Sequence, residues 1–158
     1  MAEKMASFLW ERLSRRIQSA IYAEQVFCSI TTEMKFLPGF ENQLELRSLH
    51  RENYETSYHL NTAAGNLARI LAGAHDRHQE RQLILMTVEC FIEAREHMDK
   101  AEGYLGRLKP GNAKERVWLR AAGHWHQERV RWLNQAMRRL KTSIPESVWQ
   151  EGVSLVER

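Results

Sequence analysis

Residues 112–141 read NAKERVWLRAAGHWHQERVRWLNQAMRRLK, and two apolar rows run through them at helical spacing. One is Trp118-Ala122-Trp125-Trp132-Ala136 and the other is Leu119-Val130-Leu133-Met137-Leu140. Apolar side chains three and four apart make a stripe that a helix must bury against other helices. The stretch therefore predicts one long amphipathic helix, with its indoles turned inward, and a partner set able to cover it.

The rest of the chain supplies that set. Breaks fall at Leu37-Pro38-Gly39, Ala72-Gly73-Ala74, Lys109-Pro110-Gly111 and Thr142-Ser143-Ile144-Pro145, and few other strong breakers interrupt the segments between them. Each segment of about 30 residues would make a helix about 45 Å long. Capping-box spacing marks three starts, at Asp76 with Gln79, Asn112 with Glu115 and Ser143 with Glu146. The first segment carries Leu9, Leu13, Ile17, Ile21, Cys28 and Met34 at helical spacing, and the second Leu46, Leu49, Leu60, Ala64, Leu67 and Leu71. The third carries Ile84, Val88, Phe91, Met98 and Leu105. Val148, Trp149, Gly152, Val153 and Val156 continue the pattern in the tail. Short connections force neighbouring long helices to run antiparallel. The expected fold is all-α: an antiparallel four-helix bundle in one domain over 1–158, with helices over about 3–36, 41–72, 77–107 and 113–141 and a short fifth over about 146–157.

With 158 residues the chain can bury a core without metal or disulfide staples. Its two cysteines, Cys28 and Cys90, read as small core residues. No apolar run is long enough to span a bilayer, and Met1 to Trp10 lacks the apolar stretch of a signal peptide; a cytoplasmic location and no membrane partner are expected.

Charge is less evenly spread than hydrophobicity. Between Tyr104 and Thr142 stand ten basic residues and two acids, Glu115 and Glu128, in a chain whose whole net charge is +3. Such a basic amphipathic helix suits an anionic partner. Arg116, Arg120, Arg131, Arg138 and Arg139 are read as clothing the faces that the tryptophan stripe leaves free, a distribution that a phosphate backbone accepts because it requires no fixed order of cations. The plain alternative is a solvated helix face.

Three constellations bear on chemistry. Glu55 with His59, and Glu93 with His97, stand four apart on their helices, while Glu24 and His126 fall in apolar rows. Carboxylates and imidazoles pointing inward from several helices are how bundles hold paired iron or manganese. The same residues could instead satisfy one another, for instance Glu24 with Arg16 or His126. Arg69 with His75 and Arg120 with His126 are similar to the Arg-(four to six residues)-His motif of the HEPN helical nucleases. No Gly-rich phosphate loop, nucleophile elbow, HExxH or paired-cysteine zinc motif occurs.

Finally, the run Leu60-Asn61-Thr62-Ala63-Ala64-Gly65-Asn66-Leu67, the small-residue break Ala72-Gly73-Ala74, and His75-Asp76-Arg77 followed by the helix through Val88-Glu89 to Glu96 resemble the four-helix-bundle proteins encoded in ribosomal RNA intervening sequences. The accessory variability proteins of diversity-generating retroelements have a similar layout. The resemblance implies a small basic bundle that forms a homo-oligomer and associates with nucleic acid, and in the second case with a reverse transcriptase.

These readings converge on a non-enzymatic accessory protein without cofactor, metal or catalytic residue. It would bind RNA or DNA through phosphate contacts from Arg107, Lys109, Lys114, Arg116, Arg120, Arg131, Arg138 and Arg139. It could sit beside a polymerase or another nucleoprotein subunit; the alternative is a protein-interaction module with an acidic partner.

Overall fold

A computed structural model describes residues 2–73 and 75–157, with side chains from residue 7 onward. The leader reading over Met1 to Trp10 therefore falls partly outside the described residues, as does Ala74 of the second break. The described residues form helices α1 (Ala2–Met34), α2 (Leu44–Ala72), α3 (Arg77–Arg107), α4 (Ala113–Ser143) and α5 (Glu146–Val156), and no strand. Among them no helix is long and apolar enough to cross a membrane.

Going round the bundle, α1 packs on α2 and α4, and α3 packs on the other flanks of α2 and α4. Cross-helix pairs give the direction: Arg16 meets Gln135 and Glu24 meets Arg129, so α1 and α4 run antiparallel. Thr31–Asn53 with Glu24–Ser57, Glu52–His97 with the depression shared by Arg69 and Gln82, and Arg95–Asn134 with Glu102–His126 give the same answer for the other three neighbours.

The boundaries depart from the periodicity at two places. Helix α1 stops at Met34 and α2 starts at Leu44 because successive turns occupy the interval, with Leu37 N–H on Met34 O (3.0 Å) and Phe40 N–H on Leu37 O (3.0 Å). Fully buried Phe40 pins that loop. At the other end the Ser143–Glu146 capping box does not form. Helix α4 continues through Ser143, whose hydroxyl bonds back to Arg139 O (2.6 Å), and the α5 cap position belongs to Pro145. The Asp76–Gln79 box is present. Asn112 caps Glu115 N–H, but the Glu115 carboxylate turns to the Gly39 (2.9 Å) and Gly111 (2.7 Å) amides, tying the loop before α2 to the loop before α4. A Cβ at Gly39 would lie 1.9 Å from Glu115 Oε1, so this approach requires glycine. Helix α5 folds onto α3 through buried Val148, Trp149 and Gly152, and an Arg81–Glu151 ion pair flanks the contact.

The core has two apolar compartments. One holds Leu13, Ile17, Leu60, Leu67, Phe91 and Leu133 among others, and the second holds Phe27, Met34, Phe40, Leu49 and Leu105. Leu9, assigned to the buried stripe, is exposed, whereas Phe27 is fully buried. On α4 the buried row is Ala122-His126-Arg129-Leu133-Ala136-Leu140, which runs between the two apolar rows seen in the sequence. Trp118, Trp125 and Trp132 are consequently only half-buried, and the inward placement of the indoles is corrected. Two alanines, two leucines and the His126–Arg129 pair sit nearest the axis, and the indole rings lie on the flanks.

Candidate nucleic-acid interface

Arg129 alters the charge reading first. Counted among the ten basic residues of the stretch, it is fully buried, and its guanidinium pairs with Glu24, whose side chain is 2% exposed. It also donates to Asn53 Oδ1 (3.2 Å) and His126 Nδ1 (3.1 Å) and lies 3.9 Å over the Phe27 ring. Ser57 Oγ–H and Cys28 Sγ–H donate to the remaining Glu24 oxygen, each at 3.1 Å. A buried charge needs a full set of partners, and here it has one. The pairing anticipated for Glu24 was Arg16 or His126; Arg16 instead donates to Gln135 Oε1 (2.6 Å).

The same layer disposes of a bundle-centred di-metal site. Glu24 and His126 are both held by Arg129, while Glu55, His59, Glu93 and His97 lie half-buried on α2 and α3. His126 is held neutral, its pKa pushed down to about 3 by burial, then by Arg129 and by Arg95. Because Nδ1 accepts from Arg129, the ring proton sits on Nε2, 3.5 Å from Glu102. A neutral ring makes that approach a weak polar contact rather than an ion pair. Unfolded, the ring takes up a proton near 6.5, so between the two values the unfolded chain binds more protons and stability falls as pH drops from 6.5 towards 3. His126→Asn, whose carbonyl oxygen can accept from Arg129 without titrating, is expected to flatten that part of the melting temperature against pH; an unchanged slope would reject the assignment.

Arg120 is exposed, whereas His126 is buried at the floor of a depression that Gln127, Val130 and Arg131 line and Arg120 does not. Arg69 and His75 line one surface depression with His78, Gln82 and Met86.

The remaining cations lie outside. Arg116, Arg120, Arg131 and Arg138 are all exposed, and at 100° per residue they share one solvent-facing row about 60° wide. Arg139 falls outside that row and is half-buried, so the five arginines together do not share one face. Arg131 is partly neutralised by Glu128 (2.9 Å), and Arg107 stacks over Tyr104 while bonding Gly103 O. Lys109 and Lys114 are exposed beside the third connection, where Gln43 holds both backbone polar groups of Lys109.

Arg139 turns towards α1. Its pKa is lowered chiefly by Arg12, with Arg16 also contributing, which places three guanidinium groups from two helices close together. Arg16, Arg138, Arg139, Gln135 and Thr142 line one concave surface there. Among the described residues no carboxylate pairs with Arg12, Arg16, Arg138 or Arg139, including nearby Glu11. Like charges held together without counter-charge destabilise a fold, by an amount that water and salt reduce at an exposed edge such as this.

The cluster continues into an aromatic groove. Arg16 and Arg131 both stack on Trp132, at 5.6 and 5.0 Å. Next along, Tyr22 (62% exposed) meets Trp125 edge-on at 6.0 Å, and the depression beside them is bounded by Gln18, Ser19, Ala23, Glu128 and Trp132. Arg12, Arg16 and Tyr22 were missed in the sequence because α1 looks ordinary by itself. The available signal was Arg12-Arg15-Arg16 at the end that an antiparallel partner brings beside Arg138 and Arg139. Compared with family models, curated proteins and solved structures, the chain matches none.

Proposed function

We propose that this chain is a non-enzymatic binding module for nucleic acid, taken in single-stranded form along the groove between α1 and α4, and that it serves as a subunit of a nucleoprotein assembly. The observation that carries the reading is the Arg12, Arg16, Arg138 and Arg139 cluster without an acidic partner, continuous with Trp132, Trp125 and Tyr22. Single-strand sites combine cations that follow the phosphates with rings on which bases stack. Guanidinium groups already lying over an indole supply both elements. The row Arg116, Arg120, Arg131, Arg138 spans about 33 Å along α4 and extends the cationic surface beyond the groove. The likeness of residues 59 to 100 to ribosomal-RNA intervening-sequence proteins points to the same partner class and to a homo-oligomer.

Anisotropy of a labelled single strand and of a duplex of equal length tests this. The single strand should bind more tightly, with affinity falling steeply as salt rises, and Tyr22→Ala should weaken it by about 1–3 kcal/mol while leaving helicity intact. No salt-dependent binding to either form would sink the proposal. If an acidic polypeptide were retained in that case, the surface would belong to a protein-interaction module.

A further inference from the structure

We propose that Glu55, His59 and His97 form a binding site for a single divalent transition-metal ion of the zinc class. The site bridges α2 and α3, the pair across the bundle from the α1–α4 groove, so it does not depend on the nucleic-acid reading.

One donor atom from each of the three residues lies within 4.8 Å of the others. Two imidazole nitrogens and one carboxylate oxygen suit zinc and its first-row neighbours and do not suit magnesium or calcium, which take oxygen ligands. Glu55 and His59 are one helical turn apart on α2, with Glu55 Oε2 at 3.9 Å from His59 Nε2. His97 faces them from α3, its ring stacked on His59 at 5.7 Å and nearly parallel. Metal–nitrogen bonds of about 2.0–2.1 Å require the donors to close by about 1 Å, a movement that swings the two rings out of their stack.

A separate contact argues for a built site rather than chance proximity. His97 Nδ1 lies 2.6 Å from Glu52 Oε2, and Glu52 is buried against α3. A carboxylate on the far nitrogen orients an imidazole and raises the basicity of the nitrogen facing the metal. With Nδ1 held by Glu52, Nε2 is the His97 nitrogen left for a metal. Glu93 Oε2 stands 4.0 Å from that same Nε2, outside the three-donor group, and a water would complete a tetrahedral set. The site thus resembles an open three-ligand arrangement more than a closed four-ligand one.

The test uses the full chain stripped with chelator and titrated with zinc against a chromophoric competitor. One ion per chain is expected, and at a hundred times the dissociation constant the melting temperature should rise by roughly 5 °C or more. Cobalt substitution should give the visible absorption of a tetrahedral ion. Affinity should fall at least tenfold in His59→Ala and in His97→Ala, and about 10- to 100-fold in Glu52→Gln. His75→Ala with His78→Ala, on another surface, should leave it unchanged. Two results overturn the proposal: absence of saturable zinc binding and of the cobalt spectrum in the wild type, or undiminished zinc affinity in the His59→Ala/His97→Ala double variant.

Discussion

Arg129→Ala is expected to lower unfolding free energy by about 3–5 kcal/mol, the usual cost of removing one member of a buried ion pair. The substitution strands the Glu24 carboxylate in the core and takes a donor from both Asn53 Oδ1 and His126 Nδ1. Since domains of this kind are stable by only about 5–15 kcal/mol, the variant should be close to its folding limit. Arg129→Lys keeps the charge but lacks a planar fork able to serve Glu24 and His126 at once, so an intermediate loss is expected. The informative control is Glu24→Leu with Arg129→Met, which deletes both charges; its stability should lie much nearer the wild type, because the desolvation cost disappears with the attraction. Urea denaturation of the four proteins decides the matter. Single and double variants of equal stability would mean that the pair is not sequestered as described. The layer also lies between two apolar compartments, where sliding α1, α2 or α4 by one turn would separate Glu24, Asn53 and Arg129. It is thereby suited to setting helix register.

The second large effect concerns binding. Replacing Arg16, Arg138 and Arg139 with glutamine should weaken single-strand binding about a hundredfold at 0.1 M salt. Each lost phosphate contact removes about 0.7 from the slope of log affinity against log salt, so three remove about 2. Charge reversal to glutamate should do more. Stability should move the other way, because Arg139 is already under repulsion from Arg12 and Arg16. A variant that binds less and melts no lower separates a docking surface from a folding device. Retained affinity and an unchanged salt slope would remove this end of the groove from the interface.

Much of the architecture was legible one helix at a time. Proline and glycine at Pro38-Gly39, Gly73 and Pro110-Gly111 set the lengths, and the apolar spacing set the class, because both act within a few residues along the chain. The α2 C-terminus shows how local this is: Gly73 takes a φ of 72°, a left-handed conformation that glycine adopts without strain. The candidate site was legible only in part. Arg116, Arg120, Arg131 and Arg138 could be picked out as basic, and Glu55, His59, Glu93 and His97 as pairs sharing a helical turn. Whether a guanidinium faced solvent or core could not be read in the same way. Arg129 and Arg131 are two residues apart, yet one is fully buried and the other exposed.

The sequence by itself determined that this chain makes long amphipathic helices, where they break, and that its fourth is rich in arginine. These follow from backbone hydrogen bonding and from the need of each helix to hide one stripe. Only the tertiary structure decided that Glu24 takes Arg129 out of the cationic surface, that Arg12 and Arg16 join Arg139, and that His97 comes to face Glu55 and His59. Each of those meetings joins residues far apart in the chain. Electrostatic and coordinating interactions act over a few ångströms, so they arise only once helix packing has brought such residues together.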